Sequence, residues 1–428
     1  MRRLAGATLA LCLAVAAAGC GTGTGATNDA KNSTTLVFWH YFTDRADLFD
    51  KFAADYRKQT GVTVKMTLVP GDTLGEKFQA AAQANTLPDI SAAWTGIGEK
   101  TAPYAKSNRM MNLRDAMDSG WNKTFQPSML AAASFPEDNT FGVEPGPYLV
   151  PLDSNNMQFL YNKKLFAQAG IDGPPTTFAE FLDDSRKLSA AGIAPFVAGL
   201  GAWPLGALAQ VYQWNIIGEE KLNATFSGKL PYTSSEWREF LRLFVTLGKS
   251  GALAKGTLTN DAPAAESLFV NGQAAMIFDG SWALGVFKQQ NPNFVDYGVF
   301  VPPSAGPHPV RIPGGVGAMA FVVGSSPQSA EAVKFLRWLT ETSQQTAYAS
   351  SSLNLPANVE AAGGQKLDPN LAAFASRMDA LIPTLGANMP APVDTTMQKG
   401  LQRILAGEDT PEHVAELMQK AATTGRAQ

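Results

Sequence analysis

The chain of 428 residues contains two cysteines and three histidines. Two cysteines cannot form the disulfide framework of a small secreted domain. The histidines, His40, His308 and His413, show no metal-ligand spacing, so no metal site is expected. Neither sign of charge dominates, because 34 basic and 37 acidic side chains give a net charge of -3, which argues against nucleic-acid binding. With 45% hydrophobic residues, the length predicts a globular protein of roughly two to three domains.

Long apolar runs are also missing after the N-terminus, where no segment of about 20 residues is apolar enough to span a bilayer. At the N-terminus, Arg2 and Arg3 precede an uncharged stretch and a group of small residues, an order typical of a secretory signal peptide. The Ala-Gly pair before Cys20 resembles the lipobox of bacterial lipoproteins, although Ala17 replaces the usual leucine. A secreted protein with a free thiol at this position is the alternative.

We therefore expect a signal peptide at 1–19, which includes Cys12, and acylation of Cys20. Residues 20–35 are rich in Gly, Thr, Asn and Ser, a composition that predicts a flexible lipidated tether. The expected location is extracytoplasmic, with the protein anchored by lipid to the outer face of the cell membrane and no other membrane contact.

The first part of the mature chain shows alternating strand and helix patterns. The predicted strands lie at 36–39, 62–68 and 88–94. Asp44 is expected to cap the first helix and Gly61 to end it, while Thr73 and Glu76 form a capping-box pattern for the second. This order predicts an α/β unit with a parallel sheet and right-handed crossovers.

In open parallel sheets, ligands bind beyond the carboxyl ends of the strands. Those ends carry aromatic and hydrogen-bonding residues in this chain. They are Trp39, His40, Tyr41, Trp94 and Thr95. The first part of the chain therefore presents suitable groups where a ligand would bind.

Glycine and proline become frequent between residues 139 and 151, which predicts a loop or a connection between lobes. The remaining predicted elements are a strand at 156–161, mainly helical segments from 177 to 290, strands within 299–323, and helices at 331–339 and 396–405. Thr177 and Glu180 form a capping pattern at the start of the helical part. Trp214, Trp237 and Trp338 lie at helical spacing among apolar residues and are expected in the core.

Several short stretches resemble the extracellular solute-binding proteins of ATP-driven carbohydrate importers, the family that includes maltose-binding protein. They are Leu-Pro-Asp-Ile at 87–90, Leu-Tyr-Asn-Lys at 160–163, Pro-Pro-Thr-Thr-Phe-Ala-Glu-Phe at 174–181, Phe-Val-Asn-Gly-Gln-Ala-Ala-Met at 269–276, Asp-Gly-Ser-Trp at 279–282 and Ala-Val-Lys-Phe-Leu-Arg-Trp-Leu at 332–339. They occur in the order found in the family.

The resemblance implies a class II periplasmic-binding-protein-like fold, in which each of two lobes is an α/β sheet flanked by helices. The chain would cross between the lobes near Asn155, Val299 and Thr342. The implied N-terminal lobe contains residues 36–155 and 299–342, and the C-terminal lobe contains residues 156–298 and 343–428. Hinge closure would trap the ligand, and the membrane permease would recognise the closed form.

A sugar site needs flat aromatic side chains for the C–H faces and planar polar groups for the hydroxyls. The resemblance assigns Trp282 as the aromatic platform of the second lobe, Trp203 as a second aromatic contact and Asn155 as a polar hinge residue. Asp279 would bind hydroxyls or cap its own backbone. The other expected contacts are Trp39, His40, Tyr41, Trp94, Thr95, Glu144, Gly280, Gly314 and Gly315, with Asp394 as a further candidate.

The sequence thus predicts a monomeric, non-enzymatic receptor without a cofactor, which delivers a mono- or oligosaccharide to an ABC permease. A receptor for a polyamine, a peptide or a metal would share the same plan. A surface-anchored glycoside hydrolase is the enzymatic alternative, with Glu144, Asp153 and Asp279 as candidate carboxylates. No acid/base signature pairs them, and the sequence has no Gly-x-Ser-x-Gly turn.

Overall fold

The computed structural model describes residues 34–363, 367–383 and 389–426. The predicted signal peptide, Cys20 and the tether as far as residue 33 lie outside the described residues. Within the described ranges, no helix is both long enough and apolar enough to cross a membrane.

One strand has ten residues, and the others have two to six. They are β1 (Thr35–His40), β2 (Thr63–Leu68), β3 (Ile90–Ala92), β4 (Ser134–Phe135), β5 (Gly146–Pro147), β6 (Val150–Pro151), β7 (Asp153–Asn162), β8 (Phe196–Val197), β9 (Met276–Gly280), β10 (Tyr297–Phe300), β11 (Gly314–Val316), β12 (Met319–Val322) and β13 (Leu355–Pro356).

Helices surround these strands. They are α1 (Ala46–Thr60), α2 (Gly71–Ala84), α3 (Ala102–Lys106), α4 (Arg114–Asp118), α5 (Pro127–Ala132), α6 (Lys163–Gln168), α7 (Phe178–Ala190), α8 (Pro204–Tyr212), α9 (Glu219–Phe226), α10 (Ser235–Lys249), α11 (Ala262–Val270), α12 (Ala283–Gln290), α13 (Ser329–Leu339), α14 (Thr342–Ser352), α15 (Val359–Gly363), α16 (Pro369–Ala375), α17 (Ala391–Leu405) and α18 (Pro411–Arg426). A π-helical turn at Gln213–Ile217 continues α8.

The first sheet has the strand order β2-β1-β3-β12-β6. β1 pairs in parallel with β2 and β3, which confirms the predicted parallel unit, whereas β12 pairs antiparallel with β3 and β6. Alternation along β1 buries Leu36, Phe38 and His40 on one face, where Phe38 meets Phe49 of α1 and Phe335 of α13. This packing forms the main core of the first lobe.

The second sheet has the strand order β10-β7-β9-β8, and β11 and β13 also pair with β7. β7 is buried along nearly its whole length, and the core around it is rich in aromatic residues. Phe159 contacts Phe181 of α7, Phe196 of β8 and Phe278 of β9. The three tryptophans expected in the core are buried: Trp214 and Trp237 in this lobe, and Trp338 in the first.

The start of β7 is the junction between the two sheets. β7 begins at Asp153, shortly after β6 ends in the first sheet. Both other segments that pair here are antiparallel to it, with Gly315 of β11 opposite Asn155 and Leu355 of β13 opposite Ser154. Three segments of the described chain therefore meet at one place between the lobes.

The positions of the sheets shift two of the expected crossings. Val299 lies in β10, which pairs with β7 in the second sheet, and Tyr348 of α14 still packs in the core of the first lobe. We therefore propose that the chain crosses near Asp153, between 300 and 319, and between 348 and 355. This assigns residues 299–300 to the C-terminal lobe and residues 343–348 to the N-terminal lobe.

Two of the predicted helix caps are wrong. Asp44 lies in a short 3-10 turn before α1, where its carboxylate accepts a hydrogen bond from the Arg45 guanidinium instead of capping the helix. α2 begins earlier than its capping-box pattern suggests, directly after Pro70, and the Thr73 hydroxyl donates to the Pro70 carbonyl. Gly61 does end α1 in the left-handed conformation, and the capping box of Thr177 and Glu180 is present.

Candidate ligand-binding site

Two tryptophans of the second lobe lie together before the first turns of two helices. Trp203 precedes α8 and Trp282 precedes α12, and their ring centroids are 5.8 Å apart with an interplanar angle of 51°. Trp203 is 51% exposed, whereas Trp282 is partly buried against both cores of its lobe. The pair offers an exposed aromatic surface on a fixed base, which suits the apolar face of a sugar ring.

The loop that carries Trp203 is held by backbone hydrogen bonds to the segment before α11. The Leu200 amide donates to the Thr257 carbonyl, and the Gly201 amide donates to the Asn260 carbonyl. Pro204 then begins α8, which suits its fixed φ and its missing N–H. The position of Trp203 therefore follows from a fixed loop and a helix start.

Trp282 is positioned by the turn that follows β9. Its six-membered ring folds back over Gly280, since a Cβ on Gly280 would lie 2.1 Å from the ring. The Ser281 amide donates to the Asn156 carbonyl at 3.0 Å and ties the turn to β7. Gly280 thus serves to make room for the platform, and this is a role that sequence spacing alone did not reveal.

Asp279 is 3% exposed and its carboxyl is used inside the protein. Its Oδ1 accepts a hydrogen bond from the Gly280 amide at 2.7 Å, and its carboxyl is also hydrogen-bonded to that of Glu266. Burial and the neighbouring Glu266 raise the pKa of Asp279 well above its usual range. Of the two roles expected for Asp279, the structure shows the bond to its own backbone.

A polar pair on α17 adjoins the helix that begins after Trp203. Gln398 Nε2 donates to Asp394 Oδ2 at 2.8 Å, and it lies 3.2 Å from the position of a Cβ on Gly206 in α8. Burial raises the pKa of the Asp394 carboxyl. Gln398 was missed in the sequence, although its spacing four residues after Asp394 places both on one helix face.

In the first lobe, Tyr41 and Trp94 pack on the glycines that open α2. A Cβ on Gly71 would lie 3.4 Å from the Tyr41 ring, and one on Gly75 would lie 2.9 Å from Nε1 of Trp94. Burial raises the pKa of Tyr41 to about 12, so its hydroxyl stays protonated. Both aromatic side chains are partly buried, and Thr95, directly after Trp94, is also partly buried.

Trp39 is in contact with a lysine, whereas Glu144 is exposed to solvent. Lys77 of α2 lies over the Trp39 ring, with Nζ 4.5 Å from its centroid, a cation–π contact. Glu144 is exposed, and its backbone carbonyl accepts a hydrogen bond from the Tyr148 hydroxyl. The Trp39 ring is thus covered on one face by a positive charge, whereas the carboxylate of Glu144 faces solvent.

His40, which was expected to contact a ligand, is a core residue. It is 2% exposed and stacks on Phe42 and Phe49 at centroid distances of 5.5 and 5.4 Å. Burial lowers its pKa to about 4, so the ring is neutral at physiological pH. The alternation of β1 explains the correction, since His40 points to the same face as Leu36 and Phe38.

Gly314 and Gly315 lie at the junction between the lobes. A Cβ on Gly314 would lie 2.4 Å from the Asn155 carbonyl oxygen, and Gly315 has a φ of +133°. The glycines therefore allow β11 to approach β7 closely. Asn155 is partly buried, and its Nδ2 would lie 2.7 Å from a Cβ on Gly317, so this glycine also makes room for the amide.

A buried charge network, formed by Arg45, Asp44, Asp153 and Tyr348, lies at the same junction. Arg45 Nη1 bonds Asp44 Oδ2 at 2.7 Å, and its Nη2 bonds Asp153 Oδ2 at 3.1 Å. The Tyr348 hydroxyl donates to Asp153 Oδ2, and the Ala318 amide donates to Asp153 Oδ1, both at 2.6 Å. Burial alone would lower the pKa of Arg45, but Tyr348 and the two carboxylates together raise it above its usual value. The members of this network are 108 and 195 residues apart in the sequence, so no local pattern indicated it.

Two surface cavities of the described chain do not include the tryptophan pair in their lining. Among the described residues, no group of three or more His, Cys, Asp or Glu side chains could hold a metal ion. One surface cavity of about 370 Å³ is lined by Trp121 and Arg337, and another of about 420 Å³ by Pro174 and Glu180. Both lie away from the candidate contacts, so exposure and aromatic geometry define the candidate site.

The family profile of bacterial extracellular solute-binding proteins matches residues 41–346. The chain therefore belongs to that family, which confirms the resemblance drawn from the sequence and places the protein outside the cytoplasm. It is 26% identical over 372 residues to a putative binding protein of Brucella abortus (strain 2308), covering 83% of each chain. Over 348 residues it is 24% identical to the sn-glycerol-3-phosphate-binding periplasmic protein UgpB of Rhizobium meliloti (strain 1021), covering 78% of this chain and 77% of UgpB.

Among solved structures, a chitin oligosaccharide binding protein is similar with a TM-score of 0.76 and 23% identity. The match covers 93% of this chain and 100% of that one. At this identity the likeness establishes the fold, and it confirms the predicted two-lobe α/β architecture.

Proposed function

We propose that the protein is the solute-binding component of an ABC importer and that it captures a mono- or oligosaccharide. The paired rings of Trp203 and Trp282 carry this proposal, because they form an exposed aromatic surface on a family fold built to hold solutes. A structural relative is named as a chitin oligosaccharide binding protein, which supports a carbohydrate ligand.

The proposed ligand lies between the lobes. Its ring faces stack on the Trp203–Trp282 pair, and its hydroxyls meet polar groups from both lobes. The remaining proposed contacts are Trp39, Tyr41, Trp94, Thr95, Glu144, Asn155, Asp394 and Gln398. Hinge movement at the start of β7 would then close the lobes, and the permease would recognise the closed form.

We also propose how the protein is exported, anchored and assembled. A signal peptide at 1–19, acylation of Cys20 and a tether would hold a monomer beside its permease, supported by the lipobox resemblance. We further propose that the protein binds its ligand without catalysis. Asp153 and Asp279 support this, because both carboxyls are engaged in buried internal hydrogen bonds, whereas a glycoside hydrolase needs two carboxyl groups facing the substrate.

Titration with a ligand panel tests the proposal. Intrinsic tryptophan fluorescence and melting temperature should respond to a sugar or oligosaccharide, and a ligand at 100 times its Kd should add about 2.7 kcal/mol of stability. The panel includes sn-glycerol 3-phosphate, polyamines, peptides and divalent metals. A response to one of these and to no sugar would refute the carbohydrate assignment, and release of cleaved sugar would refute binding without catalysis.

Single substitutions then test the site. Trp203→Ala and Trp282→Ala should each weaken sugar binding by about 1 to 3 kcal/mol, since each removes an aromatic stacking surface. Val295→Ala removes another exposed apolar side chain of the second lobe and is the matched control. Unchanged affinity in both folded tryptophan variants would exclude the pair as the ligand platform.

A further inference from the structure

A pair of buried carboxyl groups lies behind the Trp282 turn. Glu266 of α11 is 5% exposed, Asp279 at the end of β9 is 3% exposed, and their carboxyls are hydrogen-bonded to each other. Two carboxylates in contact in a buried place cannot both carry charge at low cost, so one proton is shared between them. Neither group faces the ligand surface proposed above.

The acid pair connects directly to the backbone that positions Trp282. Asp279 Oδ1 accepts the Gly280 amide at 2.7 Å, and the Trp282 ring folds back over Gly280. The Ser281 hydroxyl is buried and finds no hydrogen-bond partner among the described residues. The turn is therefore held by the Ser281 backbone, through Asn156, and by the Asp279 carboxyl.

The other charges around the pair favour retention of its proton. Burial is the main cause that raises the pKa of Glu266, to about 7, while the hydrogen bond with Asp279 lowers it and the negative groups Asp44 and Asp261 raise it further. Asp44 approaches from the first lobe and is itself paired with Arg45. Asp261 caps α11, on which Glu266 lies. Loss of the shared proton would place a second negative charge in this buried, acidic surrounding.

We propose that Glu266 is a positioning residue for the ligand platform: it shares a proton with Asp279 and so fixes the turn that carries Trp282. Its effect on a ligand rests on the proposed function, whereas its effect on Trp282 does not. When the proton is lost, repulsion between the two carboxylates loosens the turn and displaces the ring. Ligand affinity then falls as the pH rises through the titration of the pair.

The first experiment needs no ligand. The fluorescence of Trp282 is followed from about pH 5 to about pH 9 as the difference between the wild-type chain and Trp282→Phe. We expect one transition at neutral to alkaline pH that is lost in Glu266→Gln, because a glutamine keeps the shape and the hydrogen bond to a charged Asp279 but cannot titrate. Glu239→Gln, which changes an exposed glutamate of the same lobe, is the matched control and should keep the transition.

A transition that persists in Glu266→Gln, or that disappears equally in Glu239→Gln, overturns the proposal. If Glu266→Gln does not fold, infrared spectroscopy of the wild-type protein decides. A carboxylic-acid band should be present at about pH 6 and should disappear above neutrality, as expected for a buried protonated carboxyl. Absence of that band at about pH 6 would overturn the proposal.

The second experiment uses whichever sugar the panel identifies. Wild-type affinity should fall by up to about tenfold per pH unit above the transition, the limit for one linked proton. The affinity of Glu266→Gln should stay level over the same range, and a parallel fall in both proteins overturns the link to binding. If no sugar binds, the proposed function fails, while the fluorescence result still decides the role of Glu266.

Discussion

The buried network around Arg45 provides a stringent test of what holds the junction between the lobes. Arg45→Met removes the guanidinium but keeps much of the apolar stem. The Asp153 side chain, 2% exposed, would then keep its bonds from Tyr348 and Ala318 but lose its only cation in the network. The cost should exceed that of one hydrogen bond, because a buried carboxylate loses its charge partner.

The size of the effect follows from burial. Removing one partner of a buried ion pair typically costs about 3 to 5 kcal/mol. Arg45 also lies 4.9 Å from the Phe42 ring centroid and 5.6 Å from that of Tyr348, and the loss of these contacts adds to the cost. We expect Arg45→Met to lower the free energy of unfolding by about 3 to 5 kcal/mol, and Tyr348→Phe, which removes one bond to a charged group, by about 1.5 to 3 kcal/mol.

Urea unfolding followed by circular dichroism and by tryptophan fluorescence measures both values, provided that the two signals change together. Arg57→Met, on the exposed face of α1, is the matched control and should change stability by no more than about 0.5 kcal/mol. Asp153→Asn should cost less in the Arg45→Met background than alone, since the partner is already gone. A loss below about 1 kcal/mol in Arg45→Met, or strict additivity in the double variant, would refute this reasoning.

Two further expectations concern buried residues near the proposed site. The pKa of His40 falls from 6.5 to about 4 on folding, so the unfolded chain binds more protons and stability is lost as the pH falls through this range, by about 3 kcal/mol in total. His40→Phe keeps a stacked ring and should remove this loss in urea unfolding at about pH 7 and about pH 4; an equal acid loss in both proteins contradicts it. Gly280→Ala should displace Trp282 and weaken sugar binding by tenfold or more (about 1.4 kcal/mol), whereas Gly173→Ala, with open space around it, should not.

Local signals predicted much of the fold correctly. An apolar run predicted β1 and alternation predicted β2, and Gly61 and the pair Thr177–Glu180 marked helix ends because each acts within a few residues. His40 was assigned to the ligand although the same alternation places it with Leu36 and Phe38. The strand period places His40 in the core, whereas its position at a strand end suggested the ligand site. The structure follows the period.

The long-range parts of the site could not be predicted from local patterns. The partner of Arg45, Asp153, is 108 residues away in the sequence, and Asp153 in turn accepts a hydrogen bond from Tyr348, 195 residues further on. A buried ion pair has no sequence period, since its partners come from different elements. Asp279 was predicted to bind hydroxyls or to cap its own backbone, and its pairing with Glu266 left no local signal because Glu266 lies on a neighbouring helix.

The network and the tryptophan platform meet at α12. This helix begins directly after Trp282, and a Cβ on its Gly285 would lie 2.6 Å from the Ser352 carbonyl and 3.4 Å from Asp44 Oδ2. The end of α14 and the Asp44–Arg45 turn of the first lobe thus pack closely against α12, the helix that follows the platform. Close-packed elements cannot shift independently. If a ligand moves Trp282, the turn that contains Arg45 and holds Asp153 at the start of β7 should therefore shift as well. The proposed ligand surface and the junction between the lobes are therefore parts of one packed unit.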